Sequence, residues 1–120
     1  MSELRMSDLS KIDGLIGGCL VDVSSGMVLG QIIINNKLDI EVAAAGNTAV
    51  VIAKRKTITS LGLENDIEDI LITLSDQYHI IRPLQGNEDL FLYIAMERDK
   101  ANLAMARHKL RGFEKSLDFS

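Results

Sequence analysis

Few side chains in this 120-residue sequence could do chemistry, and they do not converge. Cys19 lies in the middle of the apolar run "LIGGCLVDV", where a thiol reads as a small buried hydrophobe and not as a nucleophile. His79 and His108 fall on a strand-like and a helix-like segment, with no Cys or carboxylate at metal-ligand spacing. "GLIGG" has the glycines of a phosphate loop but lacks its lysine and Ser/Thr. It also precedes a strand-like run, so it reads as a helix stop followed by a strand. No Ser/His/Asp set can be assembled. Asp66, Glu68 and Asp69 form an acidic run at a strand start and read as a solvated edge that discourages wrong pairing. The expectation is therefore no catalytic residue, no cofactor, no metal and no enzyme.

The bulk properties narrow the class further. The length fits one domain over residues 1–120. A chain of this size buries roughly two-thirds of its unfolded surface without a disulfide or metal. A net charge of −4 and 4% aromatic residues argue against nucleic-acid binding. One cysteine excludes an internal disulfide and fits a reducing compartment. "MSELRMSDLS" is not a secretory signal and Ser2 is not a myristoylation glycine, so a cytoplasmic location is expected. Charge is segregated: residues 1–99 carry 8 basic and 15 acidic side chains, whereas residues 100–120 carry 5 basic and 2 acidic. The basic end reads as a solvated helix whose cations suit the negative end of its own dipole.

The elements that would position these side chains are well punctuated. Met6, Leu9 and Ile12 give residues 3–12 an amphipathic helical stripe that Gly14 can end. A hairpin follows, "LIGGCLVDV" and "MVLGQIIIN" around Ser24–Ser25–Gly26. Its second strand is apolar on both faces, which predicts cover on both. Asp39 caps a helix from about 40 to 60 that stops near Gly62 and is about 30 Å long. Three strand-like segments come next, "DIEDILITLS", "QYHIIRPL" and "LFLYIAMER". Pro83 sits near a strand end, where its missing N–H is tolerable. A last helix capped by Asp99 carries the stripe Leu103, Ala106, Leu110, Phe113 and Leu117. The order α-β-β-α-β-β-β-α predicts an α/β (α+β) fold: a five-stranded, mainly antiparallel sheet with helices on both faces. The terminal helices would share one face and the central helix would take the other.

The central helix is the unusual element. "EVAAAGNTAVVIAK" has only Asn47 and Thr48 as polar side chains between Glu41 and Lys54. It is too short and too weakly apolar to insert into a membrane. Val42, Ala45, Ala49 and Ile52 form one row of the helix, and Ala43, Gly46, Val50 and Ala53 a second. One sheet cannot cover every row, and a helix apolar nearly all round is buried nearly all round. Cover must then come from another molecule, most simply a second copy across a two-fold axis. Ala44, Gly46, Asn47, Val50 and Val51 are the residues expected at that interface. They are joined by Ile70 and Ile72 of the strand at residues 67–74, which ends the sheet and leaves an apolar edge open.

The strings "IDGLIGGCLVDVSSGMVLG" and "LFLYIAMERDKANLAMARHKLR", with the Ala-rich helix between them, resemble the roadblock/dynein light chain family along essentially the whole chain. The resemblance implies a profilin-like fold and a scaffold, not a catalyst. It implies a homodimer, or a dimer with a homologous roadblock protein, whose sheets join and whose central helices lie side by side. It also implies binding to a small Ras-like GTPase, or association with dynein as an adaptor. Carried onto this sequence, the docking surface falls near Asn47, Lys54, Arg55 and Thr57. The reading from another class is a small-molecule sensing domain of the same α/β/α shape. It would need a roomy pocket with converging polar groups, and tight apolar runs disfavour that.

Overall fold

Gly14 and Gly26, at φ +78° and +73°, bracket the first strand, because each lets the chain reverse where a side chain would be strained. The computed structural model describes residues 5–117. A short 3-10 helix (Met6–Lys11) precedes β1 (Leu15–Asp22), β2 (Val28–Ile33), α1 (Ile40–Ser60), β3 (Ile70–Thr73), β4 (Gln77–Pro83), β5 (Leu90–Glu97) and α2 (Leu103–Ser116). The expected start of the first helix, at residue 3, lies outside the described residues. Its remainder is 3-10 and not α, which suits a six-residue piece held by buried Met6 and Leu9.

All neighbouring strands are antiparallel, in the order β2-β1-β5-β4-β3. The middle of the sheet joins the two ends of the sequence: Cys19 lies opposite Tyr93 and Gly18 opposite Ile94. Gly18 makes that approach possible, since a Cβ there would stand 2.7 Å from the Tyr93 carbonyl oxygen.

Alternation along the strands divides the core into two layers. Leu20, Ile80, Leu92, Ile94 and Met96 pack with the 3-10 helix and with Ala106, Leu110 and Phe113 of α2. Cys19, Val21, Ile81, Phe91, Tyr93 and Ala95 pack with Ile40, Ala44 and Val51 of α1. The terminal helices do share one face, and α1 has the other to itself. Two ion pairs tie α2 to the sheet. Arg82 Nε donates to Glu114 Oε1 at 2.8 Å, and Arg107 grips Asp69 through two bonds of 2.8 and 3.1 Å. Asp69 is thus anchored and not part of a solvated acidic edge.

Two further expectations are corrected. Asn102, not Asp99, caps α2, accepting the Met105 N–H at 3.1 Å. Asp99 instead belongs to a turn closed by Lys100 N–H to Glu97 O and Ala101 N–H to Arg98 O, which delays the helix by one turn. β2 is only partly covered: Val28 packs against the α1-side core and Ile32 against the other, but Met27, Leu29, Ile33 and Ile34 on and beside this edge strand are exposed.

Candidate functional site

α1 begins where Asp39 Oδ1 accepts the Val42 N–H at 3.1 Å, and it ends before Gly62 at φ +72°. Its sheet-facing row is Ile40, Ala44, Thr48 and Val51, all buried. Thr48 remains there because its hydroxyl donates to the Ala44 carbonyl at 2.7 Å, which satisfies the only polar group in that row. Ala44 and Val51, expected to meet a partner, are each 0% exposed and belong to the core beneath the helix. The reason is that the sheet takes one of several equally apolar rows, and spacing alone cannot say which.

The opposite side of α1 is uncovered. Val42 is 68% and Ile52 51% exposed, with Ala45, Gly46, Ala49 and Ala53 open between them. The two flanks differ. Thr48 faces Gly26 in the β1–β2 turn, so its flank looks toward the β2 edge. Asn47 reaches Tyr93 on β5, so its flank looks the other way, toward β4 and β3. Helical geometry puts Gly46, Val50, Lys54 and Thr57 on or next to that second flank. Val50 is 36% exposed, and among the described residues nothing beyond the surrounding helix backbone would lie within 4 Å of a Cβ at Gly46. Lys54 is exposed. Thr57 is exposed with its hydroxyl turned inward to the Ala53 carbonyl at 3.0 Å. Arg55 is half-buried and lines a different feature, a cleft of about 320 Å³ formed with Ile58, Leu63, Asp66, Pro83 and Glu88.

β3 completes this side of the molecule. It pairs only with β4 and ends the sheet, as its apolar run and acidic start led one to expect. At four residues it is shorter than residues 67–74. Ile70 and Ile72 are half-buried against the α1-side core. The structure therefore gathers Gly46, Asn47, Val50, Ile70 and Ile72 toward one side of the α1 layer, and removes Ala44 and Val51 from it.

Beside this edge lies a polar chain that sequence reasoning missed. His79 on β4 stands opposite Ile72 of β3. Its Nε2 is 2.8 Å from Gln77 Oε1, and its Nδ1 is 3.2 Å from the Tyr93 hydroxyl. The two rings meet edge to face at 5.5 Å. Gln77 Oε1 only accepts, so Nε2 carries the hydrogen and Nδ1 accepts from Tyr93. Burial lowers the His79 pKa and pushes the Tyr93 hydroxyl up to about 12, which keeps both neutral at pH 7. Burial likewise pushes the Cys19 thiol to about 12, so it is not a thiolate. The Gln77/His79 alternation was the only sequence signal, and without the β4–β5 register it named no partner.

No family model matches the chain, and no curated protein matches it. Solved structures do. A roadblock/LC7 domain from Streptomyces avermitilis superposes with a TM-score of 0.80 at 12% identity, over 97% of this chain and 94% of that one. MglB of Myxococcus xanthus gives 0.74 at 13%, over 92% and 84%. The gliding protein MglB from Thermus thermophilus gives 0.78 at 12%, over 92% and 80%.

This chain has the roadblock/LC7 fold.

At these identities the likeness is one of backbone path: the same sheet, with one helix alone on one face. In this roadblock fold the lone helix carries an apolar surface that no other described residue covers. Among the described residues no group of three or more His, Cys, Asp or Glu side chains could hold a metal ion, and no helix is long and apolar enough to cross a membrane.

Proposed function

We propose that this protein is a non-enzymatic, cytoplasmic scaffold that pairs with a second copy or with a homologous roadblock protein and docks a small Ras-like GTPase. The observation that carries the reading is the outer side of α1, where Val42, Val50 and Ile52 remain exposed around Ala and Gly. Monomers seldom leave so continuous an apolar surface open, and small residues let a second helix approach closely. The open β3 edge on the same side offers backbone pairing to the same partner. Support for a GTPase comes from the family resemblance of the sequence, and the fold shared with roadblock/LC7 structures is consistent with that resemblance. Docking on Lys54, Arg55 and Thr57 belongs to this proposal. Arg55 faces the cleft, so Lys54 and Thr57 are its better-placed members.

Sedimentation at micromolar concentration tests the pairing. A dimer is expected, and Val50→Asp splits it while the variant stays folded. A clean monomer at all concentrations overturns the reading. For the partner, a pull-down with nucleotide-loaded Ras-like GTPase should recover the protein in one nucleotide state, and Lys54→Glu should weaken the recovery. Recovery in neither state overturns the GTPase half.

A further inference from the structure

We infer that the corner formed by His79, Tyr93, Gln77 and Asn47 is a proton-sensitive seam that fastens α1 to the sheet beside the open β3 edge. The geometry is a one-way chain of donors. The Tyr93 hydroxyl gives its hydrogen to His79 Nδ1, and His79 Nε2–H gives to Gln77 Oε1. Asn47 of α1 comes close enough to the same Tyr93 hydroxyl to act on it, which is how the helix meets the chain. Every member is satisfied only while the imidazole is neutral. A proton on Nδ1 sets two hydrogens against each other, and the Tyr93 hydroxyl must find another acceptor where only Asn47 is at hand.

No unpaired anion among the described residues adjoins the ring. β5 presents Tyr93, Ala95 directly opposite His79, and Glu97 opposite Gln77, and β3 presents Ile72. β1 contributes the neutral Cys19, which lies opposite Tyr93. On its own strand the neighbours along that face are Gln77 and Ile81. α1 contributes Asn47 and, two turns on along the same flank, Lys54, whose sign is the wrong one. The carboxylate on this face, Glu97, is already engaged by Lys37 and Lys100. The sign of the pH dependence follows. The folded-state pKa lies below the unfolded value of about 6.5, so the stabilisation is complete above that value and is lost as pH falls through it toward the folded pKa.

His79 sits one strand in from the edge and under the flank of α1 that carries Gly46 and Val50. Loosening this corner therefore loosens the side through which the protein is proposed to pair. That consequence rests on the pairing proposed above, whereas the seam itself does not.

The experiment has two arms. In the first, the His79 ring is titrated by NMR in the intact protein, with hydrogen exchange of β3 amides followed from about pH 7.5 to about pH 5. His79 should titrate below the ordinary histidine range, and exchange at Ile70–Thr73 should quicken by about tenfold across that interval beyond the intrinsic change. His79→Gln should abolish the extra quickening. An ordinary or raised His79 titration, or an unchanged pH response in His79→Gln, overturns the seam. If that variant does not fold, the wild-type titration still decides. In the second arm, sedimentation over the same interval should show the dimer dissociating about tenfold more readily at the acid end, and not in His79→Gln. A protein that is monomeric throughout yet passes the first arm refutes the pairing and keeps the seam. A dimer whose affinity does not move refutes the coupling between them.

Discussion

The two helical layers solve opposite problems. α2 carries one apolar stripe, Ala106, Leu110 and Phe113, with charges on the remaining surface, and two of those charges are tied to the sheet. α1 buries a comparable row yet is also apolar on the side facing away. A helix whose work is finished inside its own chain can be amphipathic. One that is apolar on two sides leaves the second open, as α1 does here. Small residues make this tolerable, because Ala and Gly expose little apolar area.

Substitutions can break or sharpen this contrast. The largest effect belongs to the finished layer. Phe113→Ala should cost about 3–5 kcal/mol of unfolding free energy by denaturant titration. Ile52→Asp, on the unfinished layer, should shift the same measurement by no more than about 0.5 kcal/mol in the monomer. Next comes the clamp from α2. Arg82 is 4% exposed, and Glu114 also accepts the Gln85 N–H at 3.1 Å. Glu114→Ala strands a buried cation and should cost about 3 kcal/mol, whereas replacing the pair together with apolar residues should recover most of the loss. Smallest is Gly46→Ala. With open space around it, the change should stabilise the monomer by about 0.5–1 kcal/mol in thermal unfolding while weakening self-association. Strengthened self-association would show that Gly46 is not where a second helix comes close.

Much of the fold was legible because it is written locally. Asp39 and Gly62 bound α1, the period of 3.6 marked α2, and glycine with serine marked the first hairpin. The layer assignment followed from counting apolar faces. What failed depended on distance or direction. Asp99 and Asn102 are equally good caps, and only the turn leaving β5 chooses between them. The rows of α1 are equally apolar, and only the way the helix settles on the sheet chose Ala44 and Val51 for the interior. The links Asp69–Arg107, Arg82–Glu114 and His79–Tyr93 join residues far apart in sequence and carry no local mark. Of the candidate site, the helix and the edge were readable, and the polar seam between them was not.

The sheet's middle has a temporal consequence. β1 and β5 come from opposite ends of the chain, so their pairing closes a loop containing nearly every other element. The β4–β5 and β1–β2 hairpins close far shorter loops and should form sooner. Until the long closure occurs, α1 has no sheet to settle on, and both of its apolar sides face water together with two unpaired strand edges. The same surface that stays open in the folded protein is thus exposed together with the sheet-facing row during folding. Refolding yield should fall with protein concentration well before the folded state itself becomes unstable.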